Sequence, residues 1–344
     1  MRHLHLPTFT LLTFTLLGVP VHAGVALKGS GSTLAAPLFL KFTSEYQATH
    51  PGMRLKYEVK NPTDAINQFL GRGSDFAVTD TPFTSAEEKK TIGRTVFHLP
   101  VALQAVVITY NLPGVPSGIK LTPALLSKIF IGTIKKWNDP GIREINNGTI
   151  FPDMDIQVIH REEESSMHDL FPSFLARQDP KWILKHEKDK NLKWPVGKNV
   201  RGNEKVMEKL RKWPGVIAAV DFTYGTQNHL PMAEIKNASD HFAAPTPASL
   251  AAGAGDWVNL PENFNVSLGR SRSPEAYPLC TFSWLLVYED SYRATHNHDR
   301  SKALVDFLNW IFSDGQKLES DLSFVPLPDS FLSQVIEKVK SIRF

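Results

Sequence analysis

An α/β fold in two domains is what this sequence predicts, and three observations carry the prediction. Strand-like and helix-like segments alternate from residue 25 onward. A long apolar run from Phe97 to Tyr110 then interrupts the alternation, which starts again beyond it. The length of 344 residues exceeds what one simple core organises and suits two domains.

VALKGS reads as a short strand ending in glycine, and LAAPLFLKFTSEYQATHPG as an amphipathic helix stopped by Pro51-Gly52. RLKYEVK alternates as a strand, NPTDAINQFLGRG is a capped helix, and DFAVTD is a strand ending in Asp80. This β-α-β-α-β order predicts a mainly parallel sheet with helices on its faces. FHLPVALQAVVITY holds more β-branched and apolar residues than one edge strand uses, so the crossing into a second sheet is placed there. Beyond it, LTPALLSKIFIGTIKKWND reads as helix and turn, DIQVIH as a strand and SSMHDLFPSFLARQ as a helix. ASDHFAAPTPASLAAGAGDW reads as loops with short helices, TFSWLLVYED as a strand, and SKALVDFLNWIFSDGQKLESDL as a helix pair returning to the first domain.

Hydrophobic residues make up 42% of the chain and charged ones 21%, a composition that builds cores and lacks the signature of disorder. The net charge is only +3 and no dense Lys/Arg block is interleaved with aromatics, so nothing points to a nucleic-acid partner. Residues 1–23 read as a signal peptide: Arg2, an apolar run from Phe9 to Leu17, the breakers Gly18 and Pro20, then Val21-His22-Ala23, with cleavage expected after Ala23. That run is shorter than the roughly 20 residues a membrane span needs, so an exported, soluble, periplasmic protein is expected. The single cysteine, Cys280, allows no intramolecular disulfide and suits a small buried residue.

Three junctions between a strand end and a helix start carry polar residues. Gly29-Ser30-Gly31-Ser32-Thr33 can turn backbone N–H groups toward an anion at a helix start, although a glycine turn serves structure as readily. Without Gly-Lys-Ser/Thr it is not a nucleotide-binding P-loop. Asp80 ends a strand, where α/β proteins place functional side chains, and could equally cap a turn. In HREEESS, Arg161 offers a fork that fits an oxyanion, while Ser165 or Ser166 can cap the next helix. A Ser/His pairing of His160 or His168 with a serine lacks a nucleophile elbow. No HExxH or paired-cysteine spacing occurs, so neither metal nor cofactor is expected.

GSGSTLAAPLF, SDFAVTDTPF, VITYNLPG, KIFIGTIKKWND, KWPVG, PGVIAAVDFTYGTQNHL and FLNWIFSDGQKLESDLSFVPLPDSF, in this order and spacing, resemble the periplasmic phosphate-binding family of ABC-type phosphate transport over essentially the whole mature chain. The resemblance implies a two-lobed class II periplasmic-binding-protein fold with a ligand cleft between the lobes and closure by hinge motion. Lobe I would comprise residues 24–99 with 281–344, and lobe II residues 100–280. It further implies a non-enzymatic monomer, phosphate or a related oxyanion as ligand, and an ABC permease in the inner membrane as partner. Carried over by position, the ligand residues are Ser32, Thr33 and Leu34 in the first loop, Asp80 as acceptor of a ligand proton, Arg161, and Ser165, Ser166 and Met167 in the third loop. Glu163 would orient Arg161.

Among the departures from the family pattern, which include Leu34 in place of the usual aromatic, two remove donors. Pro62 stands where a serine would donate, which removes a hydroxyl and a backbone N–H, and Met167 removes another hydroxyl. Each lost hydrogen bond to an ionised ligand is worth about 1.5–3 kcal/mol. These departures favour, as an alternative, a divergent paralogue whose degenerate site takes another small ligand or a protein partner. A serine hydrolase is the third reading.

Overall fold

The computed structural model describes residues 24–81, 83–162, 166–177, 194–255, 261, 264, 266 and 268–344. The signal-peptide reading falls outside them. The first half runs β1 (Ala26–Gly31), α1 (Ala36–Thr49), β2 (Arg54–Val59), α2 (Pro62–Leu70), β3 (Phe76–Thr79), α3 (Ser85–Lys90), β4 (Val96–Tyr110), β5 (Lys120–Leu121), α4 (Pro123–Phe130), α5 (Pro140–Ile145), β6 (Gln157–Arg161) and α6 (Ser166–Ala176). It continues through β7 (Lys198–Val200), α7 (Gly202–Lys212), β8 (Val216–Asp221), α8 (Phe222–Gln227), β9 (Glu234–Lys236), β10 (Phe242–Ala243), α9 (Pro247–Gly255), β11 (Cys280–Tyr288), α10 (Ser291–Thr295), α11 (His298–Ile311), β12 (Val325–Pro326) and α12 (Asp329–Lys340).

One large sheet has the order β2-β1-β3-β11-β4-β8-β6-β7, with β12 paired to β4 off this path. Its flanks are parallel, β1 with β2 and β3, and β6 with β7 and β8. Its centre is antiparallel, because β11 inserts between β3 and β4 and β4 runs against β8. The expected mainly parallel sheet is corrected there. The C-terminal return of the chain adds a strand that local alternation near the N-terminus does not reveal.

β4 joins the two lobes. Its residues Val96–Ala105 pair with β11 and Val106–Tyr110 pair with β8, so the partner changes within one strand of 15 buried residues. Burial on both faces explains the continuous apolar run. Pro100 lies in this central strand without a backbone N–H, and the ladder shifts register between Ser283 and Trp284 on β11. The freed Val101 carbonyl accepts from Gln316 Nε2 at 3.1 Å. The expected helix pair at the C-terminal return is one helix, α11, followed by two short 3-10 turns, Gly315–Leu318 and Ser320–Leu322.

Asn61 caps α2 by accepting from the Asp64 N–H at 2.8 Å, and Pro62 takes the first helical position, where no N–H is needed. Cys280 is buried, its Sγ donates to the Tyr277 carbonyl at 3.0 Å, and burial pushes its thiol up to about 12. Among the described residues no helix is long and apolar enough to cross a membrane.

Candidate functional site

A cavity of about 670 Å³ opens between the lobes. From the N-terminal lobe it is lined by Thr33, Leu34, Pro37 and Asn61, which sit at the start of α1 and the cap of α2. The opposite wall comes from the end of β6 (Arg161), the first turn of α7 (Gly202, Asn203), the end of β8 (Asp221) and α8 (Thr223, Tyr224, Gln227). All these positions follow the carboxyl ends of strands, where α/β sheets expose helix N-termini and polar side chains. Among the described lining residues Arg161 is the one cation and Asp221 the one carboxylate.

Arg161 Nη1 donates to Asn203 Oδ1 at 3.0 Å and stands 3.7 Å from Asp221 Oδ2. Both charged side chains are largely buried. Burial raises the Asp221 carboxyl above the ordinary carboxylate range, and the Arg161 charge and a hydrogen bond from Asn203 partly offset that rise. Sequence reasoning missed Asp221 and Asn203. An aspartate closing the apolar strand VIAAVD is the same signal that drew attention to Asp80.

The first loop is built differently from the expected glycine turn. Gly29 and Gly31 lie inside β1, where a Cβ at Gly29 would collide with the Phe76 ring and one at Gly31 with the Val78 backbone. These glycines allow close contact with β3. The Ser32 N–H donates to the Val78 carbonyl at 3.0 Å, and the Ser32 hydroxyl donates to Asp80 Oδ2 while accepting from the N–H groups of Leu34 (3.0 Å) and Ala35 (3.3 Å). Ser32 is therefore turned inward and does not line the cavity, whereas Thr33 is exposed and does. Leu34 lines the cavity, with its N–H engaged by Ser32.

Asp80 is 2% exposed and sits behind this loop. Its Oδ1 accepts from Ser283 of β11 at 2.9 Å, and its carbonyl from Thr281 at 3.2 Å. Beside it, Tyr57 donates to the Ser32 carbonyl at 3.3 Å, and burial with the Asp80 charge pushes the phenol well above its ordinary value. Pro62 is half-buried next to Asn61. Glu163 and Ser165 lie outside the described residues, as do the side chains of Ser166, Met167 and His168. His160 Nε2 contacts the Val196 carbonyl at 2.8 Å, and its ring stacks on Trp194 with centroids 4.0 Å apart, an arrangement that packs β6. No group of three His, Cys, Asp or Glu residues fit to hold a metal occurs among the described residues.

Two lobes joined by a shared strand, with helix starts and one arginine facing the cleft, define the class of two-lobed periplasmic binding proteins. A sequence model of the PBP superfamily domain matches residues 18–315. The phosphate-binding protein PstS of Xylella fastidiosa is 30% identical over 315 residues, covering 90% of this chain and 84% of that protein. PstS of Pasteurella multocida is 28% identical, covering 92% and 89%. The chain belongs to the PBP superfamily and, within it, to the family of the phosphate-binding protein PstS. Among solved structures, a phosphate-binding protein from Stenotrophomonas maltophilia superposes with a TM-score of 0.62 at 17% identity, covering 91% of this chain and 94% of that one. An ABC-type phosphate transport receptor from Vibrio cholerae gives 0.59 at 18%, covering 88% and 100%. Both likenesses concern the fold.

Proposed function

We propose that this chain is the exported, periplasmic substrate-binding protein of an ABC-type importer and captures inorganic phosphate or a related oxyanion in the interlobe cleft. The observation that carries this reading is the opposition of Arg161, on one wall of the cavity, to the Thr33 hydroxyl on the other. The names of its relatives support the choice of phosphate. Thr33, Leu34 and Arg161 are assigned to the ligand from the cavity. Asp80, Ser165, Ser166 and Met167 are assigned by resemblance, with Glu163 as a partner of Arg161. Ser32 acts through Asp80. The lobes are residues 24–99 with 281–344, and 100–280, closing over the ligand. The protein works as a non-enzymatic monomer that hands its ligand to an inner-membrane permease.

Calorimetric titration of ligand-free protein with phosphate, sulfate and arsenate tests the reading. Phosphate binding that is lost in Arg161→Ala supports it, and silence toward all three anions sinks it. Pro62, with no N–H at the start of α2, favours a second reading, a paralogue that has turned to another small ligand or a protein partner. Silence toward the anions is the outcome that reading expects.

A further inference from the structure

Asp221 lines the cavity with a carboxylate that is only partly used. Its Oδ1 is shielded from solvent and has no hydrogen-bond partner among the described residues, and the residue as a whole is only 3% exposed. Asp221 occupies the N-cap position of α8 and makes no side-chain capping bond there. Oδ2 faces Arg161 from β6, and Asn203 reaches the carboxylate from α7. Across β4 its neighbour is the apolar Val106, and Tyr224 and Gln227 of α8 complete the wall. An acceptor unpaired among the described residues therefore stands beside the cation that would hold an oxyanion.

Two anionic oxygens in contact repel unless a proton lies between them. Resting on the phosphate reading above, we propose that Asp221 Oδ1 shares a proton with an oxygen of the bound ligand, so that the complex holds one proton more than the phosphate dianion carries. The proton comes from solvent, resides on the carboxyl or the ligand, and no bond to phosphorus changes. This contact comes from the lobe opposite Asp80, the acceptor that the resemblance names. Burial of Asp221, which favours its protonated form, works in the same direction. Fully ionised sulfate has no proton to share and is disfavoured by the same group.

The test titrates ligand-free protein with phosphate and sulfate from about pH 6 to about pH 9, in two buffers of different ionisation heat, for the unmodified chain and for Asp221→Asn. The unmodified chain is expected to take up a proton with phosphate, approaching one per site at the alkaline end, and to lose affinity by up to about tenfold per pH unit there. In Asp221→Asn the alkaline profile should flatten, and sulfate should gain about tenfold relative to phosphate. Phosphate binding by the unmodified chain without proton uptake overturns the inference and leaves the phosphate reading standing. So does a variant that weakens both anions equally and keeps the original pH slope, since Asp221 would then only position Arg161. No phosphate binding at any pH overturns the phosphate reading, and this inference with it. The proton count on the unmodified chain does not depend on the variant folding.

Discussion

Arg161 and Asp221 end adjacent parallel strands, β6 and β8, and hold opposite charges 3.7 Å apart in a largely buried wall of the cleft. Removing one partner of such a pair strands the other charge. Arg161→Ala is expected to lower stability by about 3 kcal/mol and phosphate affinity at least about 100-fold. The double variant Arg161→Met with Asp221→Asn should recover part of the stability and none of the affinity. Urea unfolding and calorimetry read the two effects separately.

Asp80 binds Ser32 and Ser283, which belong to segments far apart in the chain, so its carboxylate ties the first loop to β11. Asp80→Ala leaves both hydroxyls without that acceptor inside the protein. A loss of about 2–3 kcal/mol in urea unfolding is expected, along with weaker phosphate binding. Asp80→Asn keeps one acceptor oxygen and should retain more of the stability.

The contrast between these two acids shows what the sequence could disclose. Strand ends and helix caps depend on neighbouring residues, so Asn61-Pro62 at the start of α2 and the buried run of β4 were both readable. The inward turn of Ser32 depends on β1 lying against β3, a pairing between residues almost 50 positions apart. The Arg161–Asn203–Asp221 cluster likewise needs β6, α7 and β8 to be assembled before its members become neighbours. Family resemblance named Arg161 and Asp80 because their motifs are local. It gave no hint of Asp221, whose segment served only as a framework match.

Pro62 is the departure that can be reversed most simply. Asn61 lines the cavity and already caps α2, so Pro62→Ser adds an N–H and a hydroxyl at that wall without removing the cap. Phosphate affinity is expected to rise about tenfold, the equivalent of one hydrogen bond to a charged ligand. Unchanged affinity in calorimetry would place the α2 start outside the ligand's reach.

Asp75 and Arg300 connect the edge of β3 to α11. Arg300 Nε lies 2.6 Å from Asp75 Oδ1 and Nη2 lies 2.8 Å from Oδ2, while the Lys28 N–H also donates to Oδ2 at 2.7 Å. The Asp75 side chain is 2% exposed, so Asp75→Ala leaves a part-buried N–H and a cation without this acceptor. A loss of about 2–3 kcal/mol is expected in urea unfolding, with less loss in Arg300→Ala because that side chain reaches solvent.

Glu319 is fully buried at the end of the C-terminal return. Gln316 Nε2 donates to its Oε1 at 2.5 Å, whereas Oε2 has no partner among the described residues. Burial pushes its carboxyl well above the ordinary value, and the Gln316 hydrogen bond only partly opposes this. The folded state therefore binds the proton more tightly than the unfolded chain does. The resulting stability is fully present below the unfolded pKa of about 4.3 and is lost as pH rises through the folded pKa, at about 1.4 kcal/mol per pH unit between the two. Glu319→Gln keeps the shape and removes the titration. Its thermal midpoint relative to the unmodified protein is expected to rise from about pH 5 to about pH 8. A difference that stays constant with pH would show that Glu319 titrates alike in the folded and unfolded chains.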